Sequence, residues 1–305
     1  MFSYSQKLKS SQLIQPIFIE EGLKSPKIIK GLGQNYSHTL KSAKKMIESD
    51  LKRGVKNFIF FIVPKKKQSR PQNFDFHYKS LSNIKKKFGK RIIMIVDTCL
   101  CSITTDGHCG ITHHNKINLK ETHKSLGLAA LTFINAGADI IAPSDMMKGT
   151  TKYLKSLFNK KKINTPIMSY STKFFSSFYG PFRNAVDSYN NLQGSSKETY
   201  QMDFANITEA SLEIKLDINE GADMIIIKPG LPYLDIVSRI KDKYSVPVFS
   251  YHVSGEYSMI KAAAEKKYIE EKATVLEAMY CFKRAGCNAV LTYYTPEILK
   301  WLDDK

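Results

Sequence analysis

Residues 220–233 read EGADMIIIKPGLPY, in which an apolar run from Ala222 to Ile227 ends abruptly at Lys228. A short isoleucine-rich run bounded by Gly and Pro is typical of a strand that is buried on both faces. Lys228 would then start in the core and reach the carboxyl end of the strand. Desolvation there lowers a lysine pKa, and the neutral amine can form a Schiff base with a carbonyl. The alternative is a lysine that carries its charge past the strand end into solvent.

A second lysine favours the reactive interpretation. Lys173, in PIMSYSTKFFSSFYGPFR (166–183), closes another strand-like run. Outward from these two segments, strand-like and helix-like stretches alternate along the chain. The predicted strands are Ile14–Glu20, Val55–Val63, Arg91–Thr98, Ala138–Pro143, Pro166–Thr172, Ala222–Ile227, Val246–Val253 and Ala289–Tyr294. The predicted helices are Ser37–Gly54, Phe74–Phe88, Leu119–Ala136, Thr150–Lys162, Ile207–Glu220, Tyr233–Lys243 and Lys261–Ala285.

Eight strands with helices between them indicate an α/β fold, the (β/α)8 TIM barrel. Three predicted strands follow a shared joint, NAGAD before Ile140, EGAD before Met224 and RAGCN before Ala289, in which a glycine stops the preceding helix. Right-handed units of this kind close naturally into a barrel. An open doubly wound sheet competes, but it would need a glycine-rich phosphate turn after the first strand, and none is present.

The chemically unusual residues all fall at strand ends. On the barrel model they lie at the rim where strands hand over to the following loops, which is where barrel enzymes place their active sites. These residues are Cys99, Cys101, Asp145, Lys173, Lys228, Ser254 and Tyr293.

Three cysteines cluster in DTCLCSITTDGHCG (97–110). In extended chain, residues two apart point to the same side, so Cys99 and Cys101 can meet one ion, and a turn at Asp106 could return Cys109. Three thiolates suit zinc, and an open fourth position is typical of a catalytic site. His108 could be a fourth ligand or could support the ligands by hydrogen bonds. The alternative is three unligated core cysteines.

Composition limits the class of protein. The 305 residues allow one large domain, and we expect residues 13–305 to form a single catalytic barrel behind a short arm, residues 1–12. The net charge of +18 invites a nucleic-acid or membrane-surface role, yet only six of the 46 basic residues are arginine, which disfavours nucleic-acid recognition. No long uncharged apolar run predicts a membrane span. The odd number of cysteines, five, and the lack of a signal-like apolar segment predict a reducing, cytoplasmic location.

Seven segments together resemble the porphobilinogen synthase (5-aminolevulinate dehydratase) family of the zinc type. They are 97–110 above, APSDMM (142–147), SYSTKFFSSFYGPFR (169–183), TYQMDFAN (199–206), EGADMIIIKPGLPYLDIV (220–237), YHVSGEY (251–257) and LTYYTPEILKWL (291–302). The likeness runs in register from about Leu13 to the carboxyl end. It implies a hydro-lyase that condenses two 5-aminolevulinate molecules into porphobilinogen, with loss of two waters, in tetrapyrrole and haem synthesis.

The resemblance also implies roles for individual residues. Lys228 resembles the Schiff-base lysine of the propionate-side substrate and Lys173 that of the acetate side, while Cys99, Cys101 and Cys109 resemble the zinc ligands. Asp97 matches an acidic residue that assists proton transfer, although a hydrogen-bonded strand end explains it equally well. The matches for substrate carboxylates are Ser254 and Tyr293 for one, and Arg183 for the other, with residues 187–197 as the active-site lid.

Several positions depart from the family pattern. Lys197 replaces a lid arginine, which keeps the charge and loses the bidentate fork. Lys148 and Thr150 stand where Asp and Arg are common. Glu209 aligns with the carboxylate that holds an allosteric Mg²⁺ in some members, but a first-turn glutamate also favours the helix dipole. The resemblance implies a homo-oligomer, the octamer typical of the family, but the arm is short and poor in arginine, which leaves a smaller oligomer as the alternative.

Two rival functions remain open from the sequence. One is another Schiff-base lyase or class I aldolase on the same barrel, which would use one lysine and no thiolate metal site. The other is a catalytically inactive basic binding protein. The presence of both lysines and all three clustered cysteines favours the synthase.

Overall fold

The computed structural model describes residues 7–114, 116–186 and 197–303, and in them eight parallel strands form a barrel. The strands are β1 Leu13–Glu20, β2 Asn57–Val63, β3 Ile93–Thr98, β4 Ile140–Pro143, β5 Met168–Lys173, β6 Met224–Lys228, β7 Val248–His252 and β8 Ala289–Thr292. Their order is β4-β3-β2-β1-β8-β7-β6-β5. A parallel bridge between Ile141 and Ile167 brings β4 and β5 together at the two ends of this order.

Helices follow the strands, most of them on the outside of the barrel. They are α1 Leu40–Lys52, α2 Asp75–Phe88, α3 Leu119–Asn135, α4 Thr150–Lys160, α5 Gly180–Ala185, α6 Ile207–Glu220, α7 Leu234–Lys243, α8 Ser254–Glu265, α9 Glu271–Ala285 and α10 Thr295–Asp303. Asn118 and Asn206 cap the amino ends of α3 and α6 by accepting a backbone N–H with their side chains. The short helices α5 and α10 were not predicted.

The prediction of one helix over Lys261–Ala285 is wrong. The chain forms α8 and α9 instead, with a break in which Lys267 adopts a φ of +60°. The Glu270 side chain accepts the N–H groups of Lys272 and Ala273 and so begins a new helix. The sequence pattern hides this break because both helices place apolar residues on the barrel side.

The predicted glycine joints end the helices as expected. Gly221 and Gly286 follow α6 and α9 with φ of +102° and +105°, the left-handed conformation that favours glycine. A Cβ on Gly221 would also lie 2.9 Å from Cγ of Lys155, so the joint has little room for a side chain. Each joint sends the chain directly into the next buried strand, which sets the carboxyl ends of the strands on one rim.

The core fills the barrel and the space beneath the helices. Seven of the eight residues of β1 are buried, and large aromatic side chains such as Tyr170, Tyr251 and Tyr293 are less than 2% exposed. Outside the barrel, residues 36–38 pair with β1, and a small hairpin joins residues 112–113 to 116–117. No helix in the described part of the chain is long and apolar enough to cross a bilayer. The division into an arm of residues 1–12 and a barrel of residues 13–305 stays a prediction.

Candidate active site

The two predicted lysines lie side by side at the carboxyl ends of adjacent strands. Lys173 ends β5, Lys228 ends β6, and the two are direct register partners. This pairing depends on a bulge, because Ile225 pairs with Ser169 while Ile227 pairs with Thr172, so that β5 has one extra residue. Side chains alternate between the two faces of a strand, and a regular register would turn these lysines to opposite faces. The bulge therefore brings both amines to the same space.

Lys228 is enclosed by aromatic rings. Its Nζ lies 4.3 Å from the ring centre of Phe182, 4.4 Å from that of Tyr251 and 5.5 Å from that of Tyr170. Only 2% of the residue is exposed. Burial, and second the positive charge of Lys173, lower the pKa of Lys228 from 10.5 to about 7. A large fraction of this amine is consequently uncharged near neutral pH.

Lys173 has a more polar environment. Its Nζ donates a hydrogen bond to the carbonyl oxygen of Ser144, and it contacts the Tyr170 ring at 5.9 Å. Burial favours the neutral amine, but the negative charges of Cys109, Cys99 and the other acidic groups outweigh it and raise the pKa of Lys173. Burial also raises the pKa of Asp97 to about 6, although the positive charge of Lys173 acts to lower that pKa. The two lysines thus differ: one remains an ammonium and its neighbour is a potential nucleophile.

We expect the reactivity of Lys228 to depend on pH with a midpoint near 7. Because its folded pKa is lowered to about 7, the ammonium dominates below that pH and the nucleophilic amine above it. The rate of borohydride-trapped adduct formation with 5-aminolevulinate, followed at Lys228 by peptide mass spectrometry, should rise about tenfold from pH 6 to 8 and then level off. A rate that keeps rising to pH 10 would contradict the lowered pKa.

The three predicted cysteines meet beside the lysines. The Sγ atoms of Cys99, Cys101 and Cys109 all lie within 4.8 Å of one another, and each thiol is free of a disulfide. Cys99 and Cys101 follow β3, whose Asp97 faces the same small cavity as Lys173 and Lys228. The cluster is therefore part of the same site as the two amines.

A short turn returns Cys109 to the cluster, as predicted. Asp106 accepts the N–H of His108 at 3.1 Å, and Gly107 adopts a φ of +68°. The Tyr200 hydroxyl accepts the N–H of Cys109 at 3.3 Å and lies 3.1 Å from Nδ1 of His108. Of the two alternatives for His108, this geometry favours support of the cluster through Tyr200, since within the described residues the grouped donors are the three thiols alone.

The donor set fits a soft, thiophilic metal ion. Hydrogen bonds from Cys101 and Cys99 lower the pKa of Cys109, while bonding to Cys109 raises the pKa of Cys101 to about 11. Three thiols in contact cannot all lose their protons without a cation to offset the charge, and zinc or another soft ion supplies that charge. The structure thus supports a metal site at these three thiols.

The residues predicted for substrate carboxylates lie at the ends of neighbouring elements. Ser254 begins α8, and its Oγ accepts the N–H of Phe182 at 3.1 Å. Tyr293 follows β8, and its hydroxyl lies 3.0 Å from that of Tyr251. Arg183 is on α5, next to the Phe182 ring that covers Lys228, and is partly exposed. Ser254 and Tyr293 are thus bonded to Phe182 and Tyr251, whose rings contact Lys228.

Comparison with known proteins gives the relatives of this chain. The family model described as delta-aminolevulinic acid dehydratase matches residues 2–301. The enzyme of that name from Methanothermus sociabilis is 41% identical over 302 residues, covering 96% of this chain and 92% of its own; that from Bacillus subtilis is 40% identical, covering 97% and 92%. The chain belongs to the delta-aminolevulinic acid dehydratase family.

A solved structure agrees with the family assignment. The dehydratase (porphobilinogen synthase) from Toxoplasma gondii, in complex with its reaction product porphobilinogen, superposes with a TM-score of 0.93 at 36% identity, covering 99% of this chain and 88% of that one. The predicted (β/α)8 barrel is confirmed. The predicted function, a porphobilinogen synthase and hence a lyase of porphyrin biosynthesis, is confirmed through the family.

Of three further family-derived positions, Lys197 lies at the cysteine cluster, whereas Glu209 and Lys148 lie elsewhere. Lys197 is 7% exposed and its Nζ donates to Sγ of Cys109 at 3.7 Å, so its charge lies against the thiols. Glu209 is in the first turn of α6, where its N–H is capped by Asn206. Lys148 is exposed beside a separate cavity outside the barrel that Glu213 also lines. Residues 187–196 of the predicted lid lie outside the described residues.

Sequence reasoning missed the groups that surround the reactive lysine. Tyr170 and Tyr251 are aromatic residues within predicted strands, and their inward position follows only from the strand register. Phe182 reaches Lys228 from α5, which was not predicted at all. Glu256 was passed over as part of a family motif, yet it is buried and contacts the loop that follows Lys228. The sequence offered one signal for Glu256, namely an acidic residue within the stretch of mostly apolar and small residues at 251–257.

Proposed function

We propose that this chain condenses two 5-aminolevulinate molecules into porphobilinogen by forming Schiff bases on Lys228 and Lys173. The observation that carries the proposal is the register pairing of the two lysines at one rim, beside three thiols. An aldolase-type rival needs one lysine and no thiolate cluster, so the paired arrangement favours the condensation of two ketones. A basic binding protein would have no use for a buried lysine of lowered pKa.

Formation of the Schiff base at Lys228 releases one water molecule. The neutral amine adds to the C4 ketone of one substrate, and loss of water gives an imine whose nitrogen is that of Lys228. Lys173 binds the second ketone in the same way after its ammonium transfers a proton to a base, and the ionised carboxylate of Asp97, whose charge acts directly on Lys173, would be that base. The aromatic rings around Lys228 exclude water from the amine and favour the uncharged form.

Charged and hydroxyl groups around the lysines suit the substrate carboxylates. Ser254 and Tyr293 would donate to the carboxylate of the substrate on Lys228, and Arg183 would clamp that of the substrate on Lys173 through two parallel N–H bonds. In this role the Ser254 hydroxyl would turn from its protein partners toward the ligand.

Cys99, Cys101 and Cys109 would hold zinc. When bound, the ion supplies a Lewis acid that polarises a substrate carbonyl next to the lysines. The residues themselves fix its location: Tyr200 holds the backbone of Cys109, and Lys197 places a positive charge against the thiols. Magnesium at Glu209, a homo-oligomer, either the octamer of the family or a smaller assembly, and a cytoplasmic location stay predictions.

We expect Lys197→Arg to lower the KM for 5-aminolevulinate by about two- to fivefold. A guanidinium can bind both oxygens of a carboxylate in a fixed fork, whereas an ammonium acts as a point charge. Steady-state kinetics of the variant check this, with exposed Lys160→Arg as the matched control. An unchanged or higher KM would count against a carboxylate-binding role for this position.

The decisive experiment for the proposed function is borohydride reduction in the presence of 5-aminolevulinate. Peptide mass spectrometry should find the reduced substrate on both Lys228 and Lys173. An adduct on one lysine alone would support the aldolase-type rival, and the absence of any adduct would support the inactive binding protein.

A further inference from the structure

Glu256 makes contacts that its place in a helix does not explain. It lies in the first turn of α8, where its carboxylate accepts the N–H of Val253 at 2.6 Å. A glutamate at this position commonly caps its own helix in that way. Here the same carboxylate also accepts the N–H of Gly230 at 3.2 Å and that of Leu231 at 2.5 Å. These last two groups belong to the loop that follows β6, not to α8.

The loop bound by Glu256 is the direct continuation of Lys228. The carbonyl of Lys228 accepts the N–H of Phe174 at 3.0 Å and the Tyr179 hydroxyl at 3.2 Å, which fixes the backbone on one side. Two residues further on, the Gly230 backbone is packed so closely that a Cβ there would lie 2.7 Å from the Phe282 ring. Glu256 supplies the hydrogen bonds on this second side.

The remaining bond of Glu256, from the N–H of Val253, connects this loop to the start of α8. Val253 directly precedes Ser254, whose hydroxyl the proposed function assigns to a substrate carboxylate. Glu256 is 1% exposed, so water does not compete for its oxygens, and hydrogen bonds from three N–H donors to a buried carboxylate are strong. One side chain therefore bridges the loop after β6 and the start of α8.

We propose that Glu256 is a positioning residue that holds the loop following Lys228 at a set distance from Ser254. The inference rests on the proposed Schiff base at Lys228. By fixing the loop after β6 and the start of α8, the Glu256 side chain keeps two groups in place. The Lys228 amine stays aligned with the substrate ketone, and the Ser254 hydroxyl stays aligned with the substrate carboxylate. A displacement of about 1 Å in such a site lowers reaction rates by up to roughly 100-fold. The bonds of Glu256 go to the loop after β6 and to the start of α8, so the same change should affect Lys173 much less than Lys228.

The test compares adducts at the two lysines in Glu256→Gln. The amide keeps the shape of the side chain but turns one acceptor into an NH₂ donor that faces backbone N–H groups, so at least one of the three bonds is lost. With 5-aminolevulinate and borohydride, we expect the initial rate of adduct formation at Lys228 to fall about tenfold or more, while that at Lys173 changes less than about twofold. Exposed Glu265→Gln, at the end of the same helix, is the control.

The outcomes separate this inference from the proposed function. If wild-type protein forms no adduct at Lys228, the proposed function is wrong. If wild type forms both adducts and Glu256→Gln leaves their ratio unchanged, or reduces both equally, Glu256 is only structural and the inference is overturned. Should Glu256→Gln fail to fold, the same ratio read on Glu256→Asp, which keeps the charge but shortens the reach, decides in the same way.

Discussion

Lys228→Ala is expected to lower kcat for porphobilinogen formation by roughly 10⁴-fold or more. The substitution removes the one amine of the lysine pair whose pKa is lowered to about 7, and with it the Schiff base of one of the two substrates. Product formation is measured in a steady-state assay, with borohydride trapping on the same samples. Lys173 should still form its adduct, because its backbone and its bond to Ser144 do not depend on Lys228.

The control is Lys160→Ala, which removes the same charge from an exposed position at the end of α4. It should retain full activity. A Lys228→Ala protein that keeps more than about one per cent of wild-type kcat would show that covalent catalysis at this lysine is not required. The truncation also leaves a void beneath aromatic rings, so circular dichroism of the folded variant accompanies the assay.

Cys109→Ser is expected to abolish tight zinc binding and to lower activity by about 100-fold or more. Cys109 is the thiol whose pKa is lowered by its neighbours. It is therefore the thiolate of the cluster, and Cys99 and Cys101 donate hydrogen bonds to it. A serine hydroxyl does not ionise near neutral pH and is a poor ligand for a soft ion. Metal content is measured by atomic spectrometry after dialysis, in parallel with the assay.

Two further measurements make the cysteine test specific. Cys281→Ser removes a partly exposed thiol outside the cluster and should leave both metal content and activity unchanged. Adduct formation at Lys228 should persist in Cys109→Ser, since the amine and its aromatic surroundings remain. Full activity in metal-free Cys109→Ser would refute a catalytic metal at these thiols.

The pattern of apolar runs and glycine joints was enough to predict the barrel. All eight predicted strands occur, and most begin two residues later than the apolar run suggested. Val55, Ala138 and Ala222 are buried but precede the first paired residue of their strands. Burial begins where the chain enters the core, whereas pairing begins only beside a neighbouring strand, so hydrophobicity alone places the start too early.

The chemical identity of the site was also readable from the sequence, because reactive residue types stand at strand ends and those ends share one rim in a parallel barrel. The spacing of Cys99, Cys101 and Cys109 predicted a cluster, and the three thiols do meet. These are local signals: a residue type, its place in an element and a turn of a few residues are sufficient for them.

Only the tertiary structure decided how the groups face one another. The extra residue in β5 is defined by pairing with β6, and without it Lys173 and Lys228 would point to opposite faces. The lowered pKa of Lys228 and the three bonds of Glu256 likewise require groups from distant segments. Register, desolvation and hydrogen bonding between loops depend on contacts across the barrel, and such contacts have no fixed spacing along the chain.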